Sequence, residues 1–382
     1  MKVLVLGGAG AMGMVTVRDL AECSEVSEVI IGDSNLKQAE KVKKWANSEK
    51  VSVHIINITN QESLTNSISQ VDVVANAAPY HLNLQVANAA IRAKKPFTDL
   101  GGVYYMTIKQ LKLHKKARKA GVTGVIGCGL APGIADVLAR YGAEKLSQID
   151  EVHIRYGEVN RKPVKYKWTF RTVLEEYTQG PVIYVDGKYE KLPPFSGKHT
   201  FKFPEPIGER TCCFALYSGI ATLPRTISKG VRLVDCAMSY IDKDEQRIHI
   251  LNEMGLTRTE PIRLNGVEIS PQEFLIKCAP PPDVNVKDTA GIVVEIIGKK
   301  NGFSSKYTYS LIRQYHKEYG VSALAYLTGM PMSVVAQMLA KDEELSGGIF
   351  PMELGIDSSP LFVQLAKRGV EILETCQTSH LL

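Results

Sequence analysis

The chain has 382 residues, 45% of them hydrophobic and 23% charged, with a formal net charge of +6. That composition suits a globular protein large enough for two cores, and its mild charge, scattered along helical stretches, excludes a nucleic-acid-binding arm. No run approaches the roughly 18 uninterrupted apolar residues of a membrane span, and seven cysteines without a C-x-x-C pair point to reduced thiols.

The first element carries the most information. Lys2–Leu6 reads as an apolar strand, Gly7-Gly-Ala-Gly-Ala-Met-Gly13 as a glycine loop, and Met14, Val17 and Leu20 as the apolar face of a helix. Gly8, Gly10 and Gly13 have the spacing G-x-G-x-x-G. This spacing allows a tight turn, close approach of backbone to a diphosphate, and tight helix–strand packing, with the anion at a helix N-terminus. Gly8, Ala9, Gly10, Ala11, Met12 and Gly13 are therefore the expected diphosphate cradle. The next strand, Val29–Gly32, ends in Asp33, twenty positions past Gly13. A carboxylate there accepts both adenosine ribose hydroxyls and repels a 2′-phosphate, so the cofactor expected is NAD. Lys37 and Lys41 keep NADP as the less favoured choice, and capping of the helix near Leu36 is the structural alternative for Asp33. Ser34 joins the same cofactor set.

Further strands are predicted at 51–57, 71–76, 96–99 and 123–127, alternating with amphipathic helices. The pattern predicts an α/β fold with a Rossmann-type doubly wound parallel sheet, whose ligands bind outside the carboxyl ends of its strands. Those ends supply Asn57, Ala77, Ala78, Pro79, Gly101, Gly129 and Pro132 as a cofactor rim. Tyr80 and His81 follow the strand end where a nicotinamide would lie and are candidates for proton transfer; lining the cofactor or opening a helix is their structural alternative. Asp99 stands at the next strand end, where it either holds a substrate ammonium or water or caps the following glycine turn. Cys128 has no base beside it and reads as packing. The basic run Lys109–Lys119 reads as one solvated helix face.

After Gly133 the texture changes. A helix is predicted at 134–146, a strand at 151–156, and hairpins around Asp186-Gly187, Asn265-Gly266 and Lys299-Lys-Asn-Gly302. These make a second α+β domain with a mixed or antiparallel sheet, with Cys212 and Cys213 on opposite faces of a strand and 279–283 as a loop. Arg155 in a strand, Arg171 in a helix opening at Thr169, and Arg225 in a loop after Pro224 are candidate carboxylate anchors, because a guanidinium fork matches a carboxylate. Past Ser322 the pattern is helical, with Val334, Val335, Met338 and Leu339 on one face and Pro331 in the first turn. The eight histidines are dispersed without metal-ligand spacing, so no metal is expected. A strand opening at residue 2 leads us to expect a cytoplasmic protein, and exposed strand edges in the second domain a homo-oligomer.

Asp99-Leu-Gly-Gly102, Cys128-Gly-Leu-Ala-Pro-Gly133 and Val334-Val-Ala-Gln-Met-Leu339, joined to the glycine loop, resemble the saccharopine dehydrogenase-like family. The likeness extends through Leu174-Glu-Glu-Tyr-Thr178, Ser218-Gly219 and Arg225, and is greatest to its NAD-dependent lysine 6-dehydrogenase branch. It implies an oxidoreductase acting on the CH–NH₂ group of a small amino acid substrate. The reaction expected is oxidative deamination of the lysine ε-amine to the semialdehyde, with release of ammonia and NADH. Saccharopine or carboxynorspermidine, both secondary amines, are the alternative substrates, and an NAD-occupied sensor or scaffold is the alternative outside enzymes. The resemblance also implies that the last helices return to the first domain. The expected division is 1–130 for the dinucleotide, 131–321 for substrate and dimerisation, and 322–382 for the returning helices.

Overall fold

The computed structural model describes residues 1–160, 169–227, 229–240, 242–280, 285–341 and 347–379. Its first layer alternates strand and helix: β1 (Lys2–Leu6), α1 (Ala11–Glu22), β2 (Glu28–Asp33), α2 (Leu36–Ala46), β3 (Val51–Ile55), α3 (Gln61–Ser69), β4 (Val73–Asn76), a 3₁₀ turn (Tyr80–Leu82), α4 (Asn83–Ala93), β5 (Phe97–Asp99), α5 (Tyr104–Leu111), α6 (His114–Ala120) and β6 (Thr123–Ile126). All six strands pair in parallel, in the order β6-β5-β4-β1-β2-β3. Helices cover both faces, which is why β1, β4 and β6 read as nearly continuous apolar runs. The chain builds outward from β1 through β2 and β3, then crosses to β4 on the other side. The reversal leaves a crevice outside the carboxyl ends of β1 and β4. The basic run forms two helices, α5 and α6, with its lysines exposed. His81 lies in the 3₁₀ turn, ahead of α4.

The second layer runs through α7 (Ile134–Glu144), β7 (Gln148–Asn160), α8 (Phe170–Thr178), β8 (Val182–Val185), β9 (Lys188–Lys191), β10 (His199–Lys202), β11 (Glu209–Phe214), α9 (Leu223–Ile227), β12 (Leu233–Ser239), α10 (Asp242–Glu253), β13 (Ile262–Leu264), β14 (Val267–Ile269), α11 (Pro271–Cys278), β15 (Asp288–Lys300) and β16 (Phe303–Gln314). Its large sheet is mixed: β12 lies parallel to β7 and the other pairings are antiparallel. The three hairpins fall where the Asp-Gly and Asn-Gly turns place them, though β13 and β14 stand apart as their own small sheet. Arg225 is in the short helix α9, not in a loop. Of the predicted loop 279–283, residues 281–283 lie outside the described residues.

The chain then returns. Helix α12 (Ala323–Lys341) is capped at its N-terminus by Asp288 of β15, whose carboxylate accepts from the Ala323 and Leu324 amides. By length and hydropathy α12 could cross a membrane, but 83% of its most apolar window is buried in this fold, as befits a core helix. Pro331 is its ninth residue and not part of its first turn. A seventh strand, β17 (Gly348–Pro351), adds to β6 in parallel, followed by α13 (Met352–Gly355), α14 (Ser358–Lys367) and β18 (Leu373–Thr378). Because β18 pairs with β16, residues 373–378 belong to the second sheet and the returning segment serves both layers.

The seam between α1 and α12 is tight. Thr16 Oγ1 donates to Gly329 O at 2.6 Å, and buried Asp19 accepts from Ser333 Oγ at 2.5 Å and Arg368 Nε at 2.6 Å. Removing Arg368 would leave a buried carboxylate without its counter-charge, a loss of about 3–5 kcal/mol. Arg368→Ala should therefore lower the apparent Tm by roughly 4–6 °C in a thermal melt.

Candidate functional site

The glycine loop turns from β1 into α1 through a Gly10 N–H to Gly7 O bond of 3.0 Å. Gly7 has φ +68°, and a Cβ on it would stand 2.6 Å from the Ala78 amide; one on Gly13 would stand 2.3 Å from Gly7 O. The glycine spacing thus records contacts that no side chain fits. Gly10 caps α1 without a side chain, and no acid lies in the first turn. Among the described residues, the amides of Ala11, Met12 and Gly13 meet no protein acceptor, so they and the helix dipole face the crevice ready for an anion. Asp33 sits at the end of β2 with Oδ2 accepting from the Ala9 amide at 3.2 Å and Oδ1 from the Asn35 amide at 3.0 Å. It does not cap α2, since Asn35 does. Bare amides, absent side chains and a fixed acid together fit a dinucleotide. Ser34 is exposed beside Asp33, and Asn57, exposed after β3, accepts from its own Thr59 amide at 3.1 Å.

Across the switch point, Ala77 N–H donates to Leu6 O at 2.8 Å and Ala78 N–H to Asn76 Oδ1 at 3.2 Å. Asn76 Nδ2 donates to Asn83 Oδ1, and Asn83 Nδ2 to Gly101 O at 3.0 Å. Tyr80 packs on Gly102, where a Cβ would meet Tyr80 Cβ at 2.9 Å, and Gly101 lies against Pro132. The ends of β4, β5 and β6 therefore make one wall that includes Pro79, Gly101, Gly129 and Pro132.

Asp99 holds this wall together from inside. It is 1% exposed and accepts from the Gly101 amide (2.7 Å), the Gly127 amide (3.0 Å) and Gln110 Nε2 (2.6 Å). Burial raises its pKa against those bonds, and no face of it is open to substrate. The expectation of a catalytic Asp99 is corrected to its structural alternative. Cys128 is fully buried, and burial pushes its thiol well above the ordinary range, as packing predicts.

The three arginines separate. Arg155 is 7% exposed and ion-paired with Asp235, which His153 also contacts at 2.8 Å. Neutralised inside the sheet, Arg155 is not a substrate anchor, and that expectation is corrected. Arg171 donates from Nη2 to both Glu273 oxygens at 2.6 Å, which ties α8 to α11. Arg225 is exposed, its guanidinium 5.8 Å from the centre of the Tyr189 ring, which in turn lies 6.0 Å from that of Tyr104. Among the described residues it has no carboxylate partner, and it stands where α5 meets the β8–β9 hairpin. His81 is exposed; burial of its ring, then Arg171, lower its pKa, with Glu273 opposing. Tyr80, His81, Arg171 and Arg225 thus lie along the junction of the two layers.

Two further features escape any local signal. A cavity of about 720 Å³ lies wholly in the second layer, lined by Tyr177, Phe195, Lys198 and His249 among others; it shares no residue with the glycine loop. At the layer junction, Asp136 and Glu353 line a small void with Ser218 and Thr222. Asp136 accepts from Tyr217 Oη at 2.7 Å and the Gly133 amide at 2.9 Å. Burial, reinforced by Glu353, pushes Asp136 up to about 8. The two acids are 217 residues apart and meet only because β17 joins the first sheet.

A chain with this doubly wound sheet, glycine loop and facing α+β layer is an NAD(P)-dependent oxidoreductase. Residues 3–125 match the saccharopine dehydrogenase NADP-binding domain and residues 129–370 the saccharopine dehydrogenase C-terminal domain. The chain belongs to the saccharopine dehydrogenase family. It is 25% identical over 375 residues to the carboxynorspermidine synthase of Vibrio cholerae serotype O1, covering 90% of this chain and 86% of that protein. It is 21% identical over 390 residues to the carboxyaminopropylagmatine dehydrogenase of a Synechocystis species, covering 97% and 96%. Its fold matches the apo saccharopine dehydrogenase (L-Glu forming) of Saccharomyces cerevisiae with a TM-score of 0.73 at 18% identity, over 98% and 99% of the chains.

The raised acid has a consequence for stability. Between an unfolded value near 3.8 and a folded value of about 8, the folded chain holds a proton that the unfolded chain has released. Stability therefore falls as pH rises across that window and levels off above it. Asp136→Asn, which needs no proton, should flatten this decline: its apparent Tm relative to wild type should be higher at pH 8 than at pH 5.

Proposed function

We propose that the chain catalyses NAD(P)-linked interconversion of an imine and a carboxylated secondary amine, as in the synthesis of a carboxypolyamine. One observation carries this reading: the likeness to carboxynorspermidine synthase and carboxyaminopropylagmatine dehydrogenase spans 90% and 97% of the chain, so it includes the layer facing the cofactor crevice as well as the crevice. Lysine deamination, the leading expectation from sequence, gives way to the secondary-amine alternative. A bound dinucleotide supplies or accepts the hydride.

In the reducing direction, hydride addition to a protonated C=N bond leaves a neutral secondary amine that then takes up a proton. In reverse, the amine must lose that proton before its lone pair can drive hydride departure. His81 is the proposed acceptor, since burial and Arg171 favour its neutral form. Arg225 is the proposed fork for the substrate carboxylate. The Asp33 carboxylate supports NAD over NADP.

Four outcomes follow. With NADH or NADPH and a panel of amine and carbonyl pairs, coenzyme oxidation should require both partners and yield a secondary amine; ammonia release from lysine alone would restore the lysine reading. Replacing Arg225 by Ala should raise KM for the carboxylated substrate roughly 10- to 100-fold and leave coenzyme affinity unchanged. Asp33→Ser should weaken NADH binding about tenfold, or about 1.4 kcal/mol, and NADPH binding less. In the oxidising direction the rate should rise through a pKa below the ordinary histidine value of 6.5, a limb that His81→Asn removes.

A further inference from the structure

Between α10 and α11 the chain makes an excursion that joins neither large sheet. Helix α10 packs on α8, and Arg171 ties α11 to the same helix through both Glu273 oxygens. The base of the excursion is stitched together: Thr257 Oγ1 donates to Asn252 Oδ1 at 2.7 Å, and the Gln272 amide donates to Arg258 O at 3.0 Å. Residues 258–268 are then exposed without interruption. Among the described residues, β13 and β14 pair only with each other. A lone two-stranded hairpin is marginal in water unless its apolar face is covered.

That face is bare. The register sets Ile262 opposite Ile269 and Leu264 opposite Val267, so these four share one side of the hairpin while Arg263 and Glu268 share the other. Ile262, Leu264 and Val267 are exposed, as are Ile250 and Met254, one turn apart on α10, and Phe274 on α11; the six range from 51% to 69%. They are half of the twelve large hydrophobic side chains exposed among the described residues, so the exposure is concentrated and not scattered singly. At roughly 100 Å² each they present about 600 Å² of apolar surface, the upper end of the largest patch on an ordinary monomer. A standard interface takes about 800 Å² from each partner, and about 65% of a homodimer interface is apolar, or roughly 500 Å². The charges around the patch are of both signs, Arg258, Arg263 and Lys277 against Glu253, Glu260, Glu268 and Glu273, although the whole chain carries +6. Two such surfaces therefore meet without strong like-charge repulsion, whereas a polyanion or an anionic lipid surface finds no basic stripe there.

We propose that the β13–β14 hairpin, with the flanking faces of α10 and α11, is a two-fold interface with a second copy of this chain. In an isologous contact one patch serves both partners, so a surface whose area and charges suit itself closes at two copies. The competing location is the edge strand β18 of the large sheet, where Leu373 is exposed.

Sedimentation velocity of the full chain, from nanomolar to micromolar concentration, should show a species of twice the mass of one chain. Leu264→Glu should weaken this dimer about 30- to 100-fold and leave the circular dichroism unchanged, whereas Leu373→Glu should leave the dimer intact. A second measurement needs no variant: amide exchange in peptides covering 258–268 should slow as the wild-type concentration rises through the dimer transition. A monomer at every concentration, a dimer lost in Leu373→Glu but kept in Leu264→Glu, or exchange at 258–268 that is independent of concentration overturns the proposal. So does a wild-type monomer that binds phosphatidylcholine vesicles and loses that binding in Leu264→Glu, since the patch then serves a lipid surface.

Discussion

Where β1 hands over to α1, three stretches of backbone come too close for any side chain. A Cβ on Gly7 would meet the Ala77–Ala78 backbone, one on Gly13 would meet Gly7 O, and one on Gly329 would stand 2.2 Å from Met12 O. These contacts join the first strand, the strand beyond the switch point and the returning helix α12 at one spot. They leave the first amides of α1 bare and aimed outward, and they seat α12 on the other side of α1. The anion site and the return of the chain from the second layer are thus one packing solution.

Buried acids around this frame fall into two kinds, and their partners tell them apart. Asp99 and Asp288 are saturated by backbone amides and side-chain donors, and each fixes an element in place. Asp136 and Glu353 share a void at the layer junction, while Glu175 keeps one oxygen with no donor at all. An acid that structure alone requires would be expected to have found its donors, as Asp99 has. Asp136 and Glu353 also have donors, from Tyr217, the Gly133 amide and Thr226, but each faces like charge from the other across the junction of the two layers.

Much of the fold is legible locally. Glycine spacing, alternation within strands and Asn-Gly or Asp-Gly turns each depend on neighbours a few residues away, and they locate the six parallel strands, the hairpins and the crevice. What escapes is set by partners far along the chain. Arg155 reads as a free guanidinium until Asp235, 80 residues on, arrives beside it. Four apolar residues at 348–351 do not announce a seventh strand, and without that strand the meeting of Asp136 with Glu353 has no sequence trace. Asp33 could be distinguished from a helix cap only once Asn35 was seen to cap α2. The substrate's identity was the least legible of all, because the motifs carrying the resemblance, those on α8 and α9 included, do not separate lysine from saccharopine or carboxynorspermidine.

The central claim is that a nicotinamide dinucleotide lies across the β1–β4 switch point with its diphosphate on the amides at the start of α1. Hydrogen–deuterium exchange of the full chain, with and without millimolar NADH or NADPH, tests it most directly. Peptides covering residues 7–14 and 76–82 should be slowed by at least one of the two coenzymes. Protection confined to the cavity around Tyr177 and His249, or no protection with either coenzyme, would contradict the account.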